Sequence, residues 1–164
     1  MNKKVVVIGA VIVLGFIGLM WWGRNVQTAG NSTDSGAVSL LSVPEKLYDF
    51  GTISMKDGVV EHMFRIANAS GKDIEIKRVY TSCMCTSAYL EGADGELGPF
   101  GMEGMGYLPP ANEVIKAGGS RDVKVVFDPN AHGPAGVGAI DRFVYLTDVS
   151  GGALELEIRA MVTP

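Results

Sequence analysis

The chain has two cysteines, Cys83 and Cys85, with one methionine between them in the stretch Thr81-Ser-Cys-Met-Cys-Thr86. Three chemistries suit such a pair. Thiolates, helped by thioethers, ligate soft ions such as copper(I). Neighbouring thiols exchange with disulfides. Cysteines are also plain structural residues, paired in an oxidising compartment or buried as small hydrophobes. In a regular strand the two side chains leave opposite faces, so joint action of the sulfurs requires a bend here. A Cys-x-Cys disulfide closes a very small ring, and departures from relaxed geometry make such a bond easier to reduce.

Other donors follow downstream. Met102 and Met105 lie in Gly101-Met-Glu-Gly-Met-Gly106, within a Gly/Met/Pro-rich insertion at about residues 91–117. Loops longer than about 12–15 residues are uncommon in compact domains unless functional or disordered, and the glycines argue against a helix. The plain reading is a lid whose methionines and Phe100 pack on the domain. The metal reading joins Met102, Met105 and His132 to Cys83 and Cys85 as copper(I) ligands. His132 sits in Asp128-Pro-Asn-Ala-His-Gly133, a flexible segment where a histidine is ordinarily exposed or caps a turn. Its approach to the cysteines would favour the metal.

These residues need a scaffold, and the chain divides to supply one. Val5 to Trp22 carries no charge and is near the roughly 20 residues that cross a bilayer core. Lys3 and Lys4 precede it, and Trp21 and Trp22 stand at its far end, where indole rings favour the membrane interface. The expectation is an anchor over residues 1–22, with a cytoplasmic tip at 1–4, a helix at 5–22 and everything later outside the cytoplasm. The rival, a cleaved signal peptide, has a shorter apolar core and a small-residue cleavage site. Residues 23–42 are rich in Gly, Ser, Thr and Asn and read as a flexible linker. Sequons occur at Asn31 and Asn68 and matter only in a host that glycosylates.

Residues 43–164 read as short strands between turns. The predicted strands are 46–50, 59–68, 73–81, 120–128, 140–148 and 153–162. Leu154, Leu156, Ile158, Ala160 and Val162 alternate with Glu155, Glu157 and Arg159, the clearest inward and outward faces. Ile140, Arg142, Val144 and Leu146 share one parity of a strand that is apolar on both faces and therefore central. His62 shares the parity of Val60, Phe64 and Ile66, at the edge of the core. Such a pattern points to an all-β antiparallel sandwich preceded by one transmembrane helix.

The order of motifs resembles a bacterial immunoglobulin-like domain-of-unknown-function family, number 1573. The resemblance rests on Tyr48-Asp-Phe-Gly-Thr-Ile53, Phe64-Arg-Ile-Ala-Asn68, Ile74 to Val79 running into Ser82-Cys-Met-Cys-Thr86, Val123 to Asp128, and His132-Gly133. It spans about residues 44–162. It implies an exported or anchored immunoglobulin-like sandwich, no set reaction, and motif positions at Asp49, Phe50, Gly51, Ser82, Cys83, Cys85 and Thr86. Met84 stands where glycine is common, and the 91–114 stretch is longer than the family's compact pattern.

The net charge of −4 gives no electrostatic footprint for nucleic acid. No nucleophile elbow or phosphate-binding loop is present, and the two histidines lie in no nucleophile motif. The expectation is therefore not an enzyme but a membrane-anchored binding or scaffolding module whose partner is another envelope protein. Copper(I) binding or delivery is the alternative, and thiol–disulfide exchange a weaker one.

Overall fold

The computed structural model describes residues 37–164. The expected anchor at 1–22, with Lys3, Lys4, Trp21 and Trp22, lies outside the described residues, as does the expected linker up to residue 36. Among the described residues, no helix is long and apolar enough to cross a membrane.

Among the described residues, eleven strands form two sheets. They are β1 (Ala37–Val38), β2 (Leu41–Ser42), β3 (Leu47–Ser54), β4 (Val60–Asn68), β5 (Ile74–Thr81), β6 (Thr86–Gly92), β7 (Gly95–Phe100), β8 (Glu113–Ile115), β9 (Ser120–Phe127), β10 (Gly138–Asp148) and β11 (Gly152–Thr163). One sheet runs β1-β11-β10-β5-β8, with β3 also on β11, and the other runs β2-β4-β9-β6-β7. All six strands expected from periodicity are present, and β10 is central, between β11 and β5.

The alternating residues of both sheets meet in one core. Phe64, Ile66, Ala88, Leu90, Val123 and Val125 come from one side, and Ile76, Val79, Leu156 and Ile158 from the other, all essentially inaccessible. Each Val, Leu, Ile or Phe side chain so buried contributes about 1.5–3 kcal/mol.

Three expectations are corrected. The sandwich is not wholly antiparallel, because β1 and β3 pair in parallel with β11. Without them the long last strand would be an open edge with unpaired peptide groups. The linker does not extend to residue 42, because β1 and β2 already join the sheets. Leu41 is buried, and the hydroxyl of Ser39 donates to Asp148 at 3.1 Å. The insertion is not simply a lid, because β6 and β7 form a hairpin and β8 pairs with β5. Phe100 is fully buried as expected, whereas Met105 and Tyr107 are exposed.

The Asp49-Phe-Gly51 motif has a structural task. The register of β3 on β11 slips between Arg159 and Met161, and Gly51 takes φ +68° there. Its amide donates to Asp49 Oδ1 at 2.7 Å. Phe50 packs against the core and meets Tyr48 edge to face at 4.9 Å. His62, near the core edge as its parity implied, stacks on the Tyr48 ring at 3.6 Å and lies 3.2 Å from Glu45.

Candidate functional site

The cysteine motif is the crossover from β5 in one sheet to β6 in the other. A register shift in the β5–β10 pairing, between Thr147 and Asp148, changes the parity of β5. After it Val79 and Thr81 point inward, and Thr81 is buried. The Thr81 hydroxyl then lies 3.0 Å from the carbonyls of both Cys83 and Thr86 and shares its one proton between them. The amide of Thr86 donates to the Cys83 carbonyl at 3.1 Å, closing a turn around Met84 and Cys85. Ser82 is clamped to β10 by two bonds of 2.9 Å, from its own amide to the Phe143 carbonyl and from the Phe143 amide to its hydroxyl. The amide of Asp128 holds the Cys85 carbonyl at 2.9 Å.

This turn supplies the bend that the sequence required. Cys83 Sγ and Cys85 Sγ lie 2.7 Å apart, while Met84 turns out to solvent. Cys83 is half-buried and Cys85 buried.

A second crossover, from β9 to β10, meets the first. It carries His132, the exposed residue before a short 3-10 turn at Gly133–Gly136. His132 Nε2 lies 3.2 Å from Cys83 Sγ. The ligand atoms of Cys83, Cys85 and His132 all lie within 4.8 Å of one another. Arg142, five residues into β10, points its Nε at Cys85 Sγ from 3.2 Å.

The electrostatics separate the two thiols. Burial pushes Cys83 up, but the thiol and amide of Cys85, His132 and the charge of Arg142 outweigh it and bring Cys83 from 9.0 to about 7. Burial pushes Cys85 up, and its bond to Cys83 adds to this against Arg142 and Thr86. Burial works against the Arg142 cation, yet the two sulfurs raise its pKa.

Of the five metal-site residues expected from the sequence, three converge: Cys83, Cys85 and His132. Met102 and Met105 are on the adjoining loop. Met102 forms a parallel bridge with Thr81, the Thr81 amide donates to Gly101 O at 3.0 Å, and Arg78 pairs with Glu103. Met105 is exposed. Arg142 was not singled out, although its signal was there: a cation sharing the inward parity of Ile140, Val144 and Leu146 needs an anionic or polar partner at the sheet end.

Comparison with known proteins follows this geometry. Residues 41–97 match the model of a family described as "Protein of unknown function (DUF1573)". That segment is similar to DUF1573 over about a third of the chain. The match contains Asp49-Phe-Gly51 and the cysteine turn, while His132 and Arg142 lie beyond it, so the site joins the matched segment to later strands. No curated protein matches the chain. A crystal structure of a protein of unknown function from Porphyromonas gingivalis W83 is 13% identical with a TM-score of 0.53, covering 80% of this chain and 50% of that one. The chain thus spans half the length of that relative, and the likeness is one of fold alone. The secreted serine protease VesC from Vibrio cholerae is 14% identical with a TM-score of 0.49, over 82% of this chain and 26% of that one. A PapD-like domain of human CEP192 is 13% identical with a TM-score of 0.43, over 77% and 87%.

Proposed function

We propose that this chain is a membrane-anchored, extracytoplasmic, immunoglobulin-like binding module, and that Cys83, Cys85 and His132 are its ligand site, taking copper(I). The observation that carries the reading is the convergence of two thiols and an imidazole, with His132 brought to Cys83 across 49 residues of sequence. Thiolates select soft ions. Three donors leave a zinc ion one ligand short of its closed tetrahedral site. Two sulfurs bonded to one ion at about 2.3 Å stand roughly 3.8 Å apart in a tetrahedral arrangement. Cys83 and Cys85 would hold the ion between them only with their sulfurs further apart than the present 2.7 Å. Copper(I) with two thiolates leaves a net negative charge, which the Arg142 guanidinium offsets.

Val5 to Trp22, preceded by Lys3 and Lys4, supports the anchor and an extracytoplasmic domain. The role is binding or delivery rather than turnover, and the partner is another envelope protein. Exposed Met84, Met105 and Tyr107, on the cysteine turn and the adjoining loop, offer it soft and apolar contacts.

The test is anaerobic titration of the reduced, full-length chain with copper(I) against a competing chelator. One tightly held ion per chain is expected, lost in Cys83→Ser and Cys85→Ser and weakened at least tenfold in His132→Ala. Absence of binding in the wild type sinks the copper reading and leaves a binding module without a metal site.

A further inference from the structure

We propose that the same two sulfurs form a working dithiol, which reduces a low-molecular-weight disulfide and closes to a Cys83–Cys85 disulfide. The inference shares its residues with the copper reading but needs no metal. It goes beyond that reading because oxidation becomes a switch that removes both thiolate ligands.

The geometry distinguishes an attacking sulfur from a resolving one. Cys83 is half-exposed, and Cys85 is buried behind it. A bulky disulfide thus meets Cys83 first. His132 Nε2, 3.2 Å from Cys83 Sγ, is placed to receive the thiol proton. Arg142 Nε, 3.2 Å from Cys85 Sγ, is placed to hold the second sulfur as an anion when its turn comes. The two sulfurs are immediate neighbours. The Cys83–Thr86 turn already directs both to one side, so closure needs no strand to move.

The steps balance. The Cys83 thiolate attacks one sulfur of the disulfide RSSR, forming a Cys83–S–R bond, breaking the S–S bond of RSSR and releasing RS⁻. The released thiolate takes up a proton. Cys85 Sγ then attacks Cys83 Sγ, its thiol proton passes to the departing sulfur, the Cys83–S–R bond breaks, and a second RSH leaves. Two thiols of the protein are oxidised and one RSSR is reduced to two RSH.

The experiment treats the reduced, metal-free full-length chain with glutathione disulfide, quenches with an alkylating reagent, and reads the intact mass and peptide map. The wild type is expected to lose both alkylation sites and gain an internal disulfide. Cys85→Ser is expected to stop at a glutathione adduct on Cys83. Cys83→Ser is expected to react at least tenfold more slowly than Cys85→Ser. Oxidised wild-type chain is expected to bind copper(I) at least 100-fold more weakly than reduced chain, if the reduced chain binds it. The proposal is overturned if the wild type keeps both thiols alkylatable. It is equally overturned if Cys83→Ser forms the adduct as fast as Cys85→Ser. Because wild-type exchange is read without copper, it succeeds or fails separately from the titration above, and it does not depend on either variant folding.

Discussion

Arg142 directs its Nε at the sulfur of Cys85 from 3.2 Å, across 57 residues of sequence. A cation on the inward parity of a central strand is costly unless a polar or anionic partner meets it, and here the partner is sulfur. The relationship ties the strand end to the cysteine turn. Arg142→Met is therefore expected to keep the fold, since methionine fills similar space, and to weaken copper(I) binding by about tenfold or more, the scale of a hydrogen bond to a charged group. Competition titration of the variant beside the wild type checks this.

The separation of the two thiols is open to a pH measurement on the metal-free chain. Cys83 is expected to react with iodoacetamide with a midpoint at about pH 7. Cys85 is expected to lag, because burial and its neighbour both oppose its anion. His132→Ala and Arg142→Met each remove a group that favours the Cys83 thiolate, so both should move the Cys83 midpoint upward. Equal labelling of the two residues at pH 7 contradicts the assigned asymmetry.

Much of the frame was legible in the sequence because its physics is local. Leu154, Leu156, Ile158, Ala160 and Val162 alternate with charged neighbours, and all five are buried as that period demands. The β6–β7 hairpin was hidden because glycines, not β-branched residues, dominate its turn and second strand, so the stretch read as a loop. Parallel pairing of β3 with β11 is a nonlocal choice that alternation cannot encode. The site was half legible. A Cys-x-Cys pair advertises itself by residue type, whereas its meeting with His132 and Arg142 depends on two sheet crossovers falling at one place.

The Asn68 sequon illustrates the same limit. Asn68 is fully buried. Its amide nitrogen donates to the carbonyls of Lys72 and Ile115, at 2.7 and 2.9 Å, and its oxygen accepts from the Ser70 amide at 3.0 Å. It therefore builds the β4–β5 turn and is closed to a glycan. Asn68→Ala leaves those buried groups unpaired and is expected to cost about 2–3 kcal/mol in urea unfolding. A loss under about 0.5 kcal/mol would contradict the assigned role.

Gly51 separates structure from chemistry in the Asp49-Phe-Gly51 motif. Its φ of +68° is one that side chains rarely adopt, although a Cβ there would meet nothing within 4 Å. Gly51→Ala is expected to cost about 1–2 kcal/mol from backbone strain alone and to leave copper(I) stoichiometry unchanged. A variant that unfolds normally yet loses the ion would give this motif a part in the site.

Asp148 makes the domain sensitive to acid. Burial alone would raise its pKa, but the hydroxyl and amide of Ser150, the amide of Gly152 and the hydroxyl of Ser39 together hold it below the ordinary 3.8. These bonds fasten the β10–β11 turn to the segment between β1 and β2. A carboxylate with a depressed folded pKa contributes stability that is fully present above its unfolded value and is lost as pH falls through the folded one. Stability is thus expected to be level with respect to this group above about pH 5 and to decline below about pH 4. Asp148→Asn removes that contribution, so the variant should be less stable at pH 7 and the difference from wild type should shrink toward pH 2. Urea unfolding of both proteins across that range decides the matter, and a difference that stays constant with pH would mean that the anion has no part in holding the turn.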